Sequence, residues 1–445
     1  MKRVNLTEGG IMRNIILFSL PYMLSYFLQL LYGLADLFFI GKYCDVDSTT
    51  AVSNGAQVMY MFTVIIIGLA MGTTVRLARA VGAGDHRRTA FIIGNTVTSF
   101  AIAALILTII LLYLRHNIVT WIDTPTEAVS GTIAYLTVCF LGIPFIVAYN
   151  VIASIFRGMG DSRSPMYFVA IACVVNITLD FLFIGHFGLG PMGAALATTL
   201  SQMISVIIAI MIIRRHNSVL GVSHSDLKIQ RGIVSDIFKI GIPVAMQDGF
   251  IQVAFIVITV IANGRGLNDA AAVGIVEKVI GLLFIIPSAM LSTVSAISAQ
   301  NIGAGKIERA KRTLIYAVYV CVGFGTICAI TFQFCPELAV GIFTNNTDVI
   351  SLGAEYLQSY VWDCILAGVH FCFSGFFTAM GYSLISFGHN FISIVCARIP
   401  LSFLASKYYP DSLYPMGLAC PIGSLVSVVI CLFVYYLMSK KINLI

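Results

Sequence analysis

The chain has 445 residues, of which 59% are hydrophobic and only 10% charged, and its mean hydropathy is +0.95. That leaves too little polar surface to cover a water-soluble globule, so the chain is read as a membrane protein and the division of a soluble chain by length does not apply. The net charge of +6 is no nucleic-acid footprint, because the basic residues are spread over separate short segments without forming a stripe.

About twelve apolar spans are predicted, near 15–40, 51–75, 90–113, 129–155, 166–186, 191–213, 238–262, 271–298, 313–335, 352–378, 390–408 and 416–438. Met1–Arg13 is short and polar and the first apolar run outlasts a signal h-region, so the first span is expected to be retained. Twenty of the 26 Lys and Arg residues fall on one side of these spans. Four, Lys42, Arg115, Arg265 and Lys407, fall on the other, and Lys278 and Arg398 lie within spans. That bias predicts a multi-pass protein of the cell (inner or plasma) membrane with both termini cytoplasmic. The eleven cysteines include no CxxC pair and mostly sit inside spans, where small apolar packing is the simpler reading than a disulfide framework or metal site.

Taken in order, the chain repeats itself. GLAMGTTVRLARAVGAGDHRRTAF (68–91) closes the second span and SAMLSTVSAISAQNIGAGKIERAKRT (288–313) the eighth, with the Gly-Ala-Gly triplets 221 residues apart. FRGMGDS (156–162) and FTAMGYS (377–383) repeat at the same offset, PMGAALATTLS (191–201) and PMGLACPIGSL (415–425) at 224, and Leu20-Pro21 and Ile242-Pro243 at 222. The predicted fold is an all-α membrane protein of about twelve helices in two six-helix lobes, 1–213 and 237–445, joined by a cytoplasmic linker at 214–236. Six spans per lobe give both the same orientation, related by a pseudo-two-fold axis along the membrane normal, which is a transporter's geometry.

These motifs, with Asp36 in the first span and the NITLD run in the fifth, resemble the multidrug and toxic compound extrusion (MATE) family over essentially the whole chain. Asp36 and the Asn176/Asp180 pair make the resemblance closest to its bacterial DNA-damage-inducible F-like branch. The resemblance implies an antiporter and not an enzyme, coupled to protons or sodium without other cofactors, exporting amphipathic, often cationic organic compounds. A monomer in the lipid bilayer is expected, with no nucleic-acid partner. Where other branches of the family use an acid in the seventh span about two turns after the proline, this chain has Ile251.

The polar residues can be read beside that resemblance. With the first span entering near Ile15, Asp36 lies about 31 Å along its helix and Asp180 about 21 Å along the fifth. Thr198 stands near the outer end of the sixth, so all three are expected on the extracellular side of the midplane. Asn176 and Asp180, four apart, share a helix face. Each intramembrane Asp costs about 2.5–3.5 kcal/mol on insertion scales, so a structural filler would be apolar. Two carboxylates, an amide oxygen and a hydroxyl at similar depth suit Na⁺, and the same carboxylates can hold a proton. Read as packing, Asn176 and Thr198 would be interhelical hydrogen-bond residues and the two acids a buried pair. The repeat argues against that, because the four positions map to Ala397, Ile422, Ile258 and Leu401.

The second half carries its own polar set: Asp248, Glu277, Lys278, Asp363, His370 and Arg398. Glu277 is expected near the outer mouth of a cleft, His370 as a satisfied buried histidine, and Arg398 either snorkelling to the cytoplasm or paired with an acid. Gln29, Tyr32, Met246, Gln247 and Gln252 are candidates for a substrate cleft. Two other functions stay open on sequence alone. A flippase for lipid-linked precursors would need a cleft rich in Lys and Arg, and an intramembrane aspartyl protease would use Asp36 and Asp180 without explaining the repeat.

Overall fold

The computed structural model describes residues 5–215 and 223–442, which form helices and connecting turns with no strand among them. The first half comprises α1 (Ile11–Tyr43), α2 (Val46–Gly82), α3 (His86–Trp121), α4 (Val129–Leu141), α5 (Ile143–Gly158), α6 (Arg163–Asp180) and α7 (Gly190–Arg215). The second comprises α8 (Arg231–Asn263), α9 (Leu267–Leu283), α10 (Ile285–Gly303), α11 (Ile307–Phe334), the short α12 (Pro336–Gly341), α13 (Thr347–Tyr360), α14 (Asp363–Met380), α15 (Ser383–Ser393), α16 (Ile399–Tyr408) and α17 (Tyr414–Ile442). Eleven helices or continuous helix pairs are long and apolar enough to cross a membrane, and α4 with α5, bent by 49° at Gly142, makes a twelfth. Pro144 opens α5, where its missing N–H costs nothing and its fixed φ suits a new helix start.

The repeated motifs are repeated turns. At Gly84 (φ +71°) the amide donates to Val81 O and that of Asp85 to Ala80 O; at Gly305 (φ +73°) the same bonds run to Ile302 O and, from Lys306, to Asn301 O. Gly160 (φ +87°) and Gly381 (φ +85°) close α5 and α14 in the same way, with Asp161 and Tyr382 bonding back to Phe156 O and Phe377 O. This paired pattern satisfies the last helical carbonyls only if one residue adopts the left-handed conformation, which glycine does without a Cβ clash.

By packing, the chain divides into two compact units, one built on Leu20–Gly241 and the other on Leu6–Ser19 together with Ile242–Ile445. This boundary differs from the one expected at the linker. Leu6–Ser19 belongs with the second unit because Asn301, Lys306 and Arg309 donate to the carbonyls of Leu6, Thr7, Glu8 and Gly9. The end of the linker belongs with the first: Asn95 and Thr98 on α3 donate to the carbonyls of Asp226 and Leu227, and the Gln230 amide donates back to Asn95 Oδ1 at 2.6 Å. Asp236 forms an ion pair with Arg76 of α2. The expected linker residues 216–222 lie outside the described residues. In both α1 and α8 the division falls just before a proline inside the helix, Pro21 or Pro243, whose ring removes one rung of the hydrogen-bond ladder. Each unit has its own apolar core, one running from Ile40 to Ile237 and the other from Ile258 to Cys420.

Candidate functional site

The site begins with the two faces of α1. Leu20, Leu24, Phe27, Leu31, Leu34 and Phe38 recur every three or four residues and are exposed, forming an apolar outer stripe. On the opposite face Tyr22, Ser25, Asp36 and Ile40 are buried and Gln29 and Tyr32 half-buried. The polarity is inverted relative to a soluble helix: the lipid-compatible face looks out and the polar face points into the first unit, where partners exist.

Those partners come from α6 and α7. Asn176 Nδ2 donates to Asp36 Oδ1 at 3.1 Å, and Thr198 Oγ1 donates to Asp36 Oδ2 at 3.2 Å. Asp180, one turn beyond Asn176 and fully buried, places its carboxyl beside that of Asp36. A π-helical turn, Phe181–His186, follows Asp180 directly, and such turns are frequent at functional sites. All four residues predicted for the coupling site therefore meet in one buried constellation of the first unit.

The hydrogen bonds are unevenly shared. Both oxygens of Asp36 have donors, whereas both oxygens of Asp180 and Oδ1 of Asn176 are buried without one. Two carboxylates side by side, one of them with no donor, repel in a low-dielectric interior. A proton or a monovalent cation between them removes that repulsion. The unpartnered oxygens are hard donors of the kind an alkali cation takes. No group of three or more His, Cys, Asp or Glu side chains suited to a metal ion occurs among the described residues.

Further residues surround this constellation. Tyr32, one turn before Asp36, is bonded to Gln202, which stands four residues after Thr198 on the same face of α7. That i,i+4 spacing is the one sequence signal for Gln202, which is not among the candidates above. Tyr135, Cys139 and Cys173 also lie within electrostatic range of Asp36, and Tyr149 lies next to Gln29. They come from α4, α5 and α6, and no spacing links them to Asp36 in sequence.

In the second unit the candidates separate into groups. Glu277, Asp363 and Arg398 come together with Thr259 and Tyr360. Of the two fates expected for Arg398, the structure shows the pairing: it is 7% exposed and its guanidinium reaches Asp363 and Tyr360. Glu277 is half-buried, with Oε1 buried and Oε2 accepting from Thr259 Oγ1 at 3.2 Å. His370 is buried beside Phe371, its ring 5.7 Å from that of His389, and its Nδ1 has no hydrogen-bond partner, so it is not the satisfied histidine expected. His389 is the one held at both ring nitrogens, by Ser374 and Ser427. On α8, Gln247 accepts from Ser386 at 2.6 Å and neighbours Asp248, Met246 is exposed, and Gln252 is half-buried.

Several transporters are similar to this chain along nearly its whole length. The probable multidrug resistance protein YoeA of Bacillus subtilis is 24% identical over 442 residues, 98% of this chain and 96% of its own length. The multidrug export protein MepA of Staphylococcus saprophyticus is 24% identical over 376 residues, 84% of this chain and 83% of its own length. Among solved structures, the outward-facing conformation of a multidrug resistance MATE family transporter of the MOP superfamily matches with a TM-score of 0.94, covering 100% of this chain and 99% of that one. At 21% identity that match speaks for the fold alone. The MatE family profile matches twice, over residues 21–182 and 243–404, each match beginning on a proline, Pro21 or Pro243. With one profile found twice in register with the internal repeat and covering most of the chain, this protein belongs to the MatE family of membrane transporters.

Proposed function

We propose that this transporter is a cation-coupled antiporter that exports amphipathic or cationic organic compounds, with Asp36, Asn176, Asp180 and Thr198 holding the coupling ion, a proton or Na⁺. The observation that carries the reading is the buried Asp36–Asp180 pair, in which one carboxyl is fully donated to and the other has no donor. A site of that kind is bistable. With an ion present the two carboxyls are compatible, and without it their repulsion favours a different arrangement of α1, α6 and α7. The multidrug export named for the relatives supports the substrate class. The internal repeat supports rocking of two lobes as the transport movement, and the Lys and Arg bias supports cytoplasmic termini. Tyr32, within electrostatic range of Asp36, and Gln202, bonded to Tyr32, are the residues through which substrate and ion would compete.

A flippase for lipid-linked precursors is the second reading. It would use buried cations to hold a pyrophosphate; here Lys278 is exposed and Arg398 is already engaged by Asp363 and Tyr360. Transport in proteoliposomes under separately imposed Na⁺ and pH gradients tests the proposal. Asp36→Asn and Asp180→Asn should each abolish gradient-driven export of a cationic dye while leaving the protein folded. Undiminished export in both variants would remove the coupling site.

A further inference from the structure

The start of α11 gathers positive charge around an open cavity of about 530 Å³, lined by Lys306, Arg309 and Arg312 together with Glu308, Ile11 and Ile307. Two of the cations are held in place by neutral groups. Lys306 Nζ donates to Thr7 O at 3.0 Å, and Arg309 Nη1 and Nη2 donate to Gly9 O at 2.9 Å and Glu8 O at 2.8 Å. Carbonyls fix a cation's position without cancelling its charge. Glu308 is taken by Lys311 at 2.6 Å, Arg312 is exposed, and Arg309 Nε is buried without a partner. Among the described residues no ion pair joins Lys306, Arg309 or Arg312 to a carboxylate.

The repeat shows what this cavity lacks. The first-unit counterpart of Lys306, 221 residues earlier, is Asp85, whose carboxylate accepts from the Arg88 amide at 2.9 Å and caps α3. α11 has no side-chain cap, and Arg312 stands where α3 has Phe91. The second unit has therefore exchanged its own anion for cations at a helix start, where negative charge is favoured. The charge selects an anion, and the helix below it indicates what that anion is attached to. Arg312, Ile315, Tyr316 and Tyr319 share one face of α11 and are exposed, so an apolar stripe leads from the cavity along the membrane-spanning part of the helix. A soluble phosphate makes no use of such a stripe, whereas an acyl chain packs on it. We propose that the cavity binds the phosphate of an anionic phospholipid, with Lys306, Arg309 and Arg312 holding the headgroup and an acyl chain lying along Ile315, Tyr316 and Tyr319. The site is separate from the Asp36 constellation and does not depend on the ion or compound transported.

The test is tryptophan quenching by brominated phospholipids, with the full chain reconstituted in phosphatidylcholine vesicles. Trp121→Phe and Trp362→Phe remove both native tryptophans, and Tyr319→Trp places a reporter about 10 Å along α11 from Arg312, at the depth of mid-chain bromines. At low mole fraction, brominated phosphatidylglycerol should quench this reporter several-fold more than the same fraction of brominated phosphatidylcholine. Val97→Trp puts an exposed reporter at nearly the same distance from the start of α3, where Asp85 is the cap, and there the ratio should be near one. Arg312→Gln changes an exposed side chain and should bring the Tyr319→Trp ratio near one with cooperative thermal unfolding retained. Lys306→Asp, which gives α11 the cap that α3 has, should do the same. Equal ratios on the two helices, or a preference that survives either substitution, would overturn the proposal. A preference lost on adding millimolar inorganic phosphate at constant ionic strength would overturn it too, by assigning the cavity to a soluble anion.

Discussion

Asn176 donates its side-chain amide to Oδ1 of Asp36 at 3.1 Å, across 140 residues of sequence, and leaves its own Oδ1 buried and unpartnered. It therefore does two things where Thr198, which donates to the other Asp36 oxygen, does one. A hydrogen bond to a charged group contributes about 1.5–3 kcal/mol, so losing either donor should weaken coupling-ion affinity by roughly 10- to 100-fold. Asn176→Ala also removes an oxygen the ion can use, so its effect should exceed that of Thr198→Ala. The concentration of the driving ion that gives half-maximal export in proteoliposomes measures both, and a larger effect at Thr198 would contradict the assignment of Asn176 as a ligand.

The repeat supplies a control within the same molecule. Ile258 occupies in α8 the place Asp36 holds in α1 and is fully buried in the second unit's core. An acid introduced there meets apolar neighbours in place of an amide, a hydroxyl and a second carboxyl. Ile258→Asp should cost about 3 kcal/mol or more in stability, whereas Asp36→Asn, which keeps the side chain's size, removes its charge and can still accept from Asn176, should cost less. Thermal unfolding of the purified protein in detergent separates the two. Equal destabilisation would mean that the first unit's polar pocket is not specialised for a carboxyl.

How much of this is legible in the sequence follows from what each feature depends on. The spans depend on composition, and the Asp36, Asn176, Asp180 and Thr198 set depends on depth and i,i+4 spacing, which are local quantities. The exchange of Leu6–Ser19 into the second unit is not legible, because Lys306 and Arg309 there bind backbone carbonyls, which every residue has. The Glu277–Asp363–Arg398 cluster is visible only as three separate charges. They come from α9, α14 and the end of a π-helical turn, and a π-helical turn rotates every following side chain off the period that sequence patterns assume. His389 gives no sequence signal because its bonds to Ser374 and Ser427 join three elements with no shared period.

The duplicated turns make a backbone prediction. Gly160 and Gly381 both sit in the left-handed region, where a Cβ costs roughly 1–2 kcal/mol. Gly160→Ala and Gly381→Ala should each destabilise the protein by about that amount, and the double variant by about the sum, because the glycines lie in different units. Gly274, in the interior of α9 with open space where a Cβ would sit, is the contrasting site: Gly274→Ala should be neutral or stabilise by about 0.5–1 kcal/mol. Unfolding midpoints of the four variants in one detergent test this, and a neutral Gly160→Ala would show that the turn opens without cost.

The proposed orientation is checked by labelling from one side of intact cells. Lys228 lies in the segment pinned to α3, just before α8, and Lys407 near the end of α16; both are exposed. The Lys and Arg bias assigns them to opposite faces of the membrane, the first cytoplasmic and the second external. After the exposed Cys335 and Cys396 are replaced by serine, a single cysteine introduced by Lys407→Cys should react with a membrane-impermeant maleimide added outside. A cysteine introduced by Lys228→Cys should react only after the membrane is permeabilised. The inverse pattern would place both termini outside and reverse the direction in which the Asp36 constellation meets its ion.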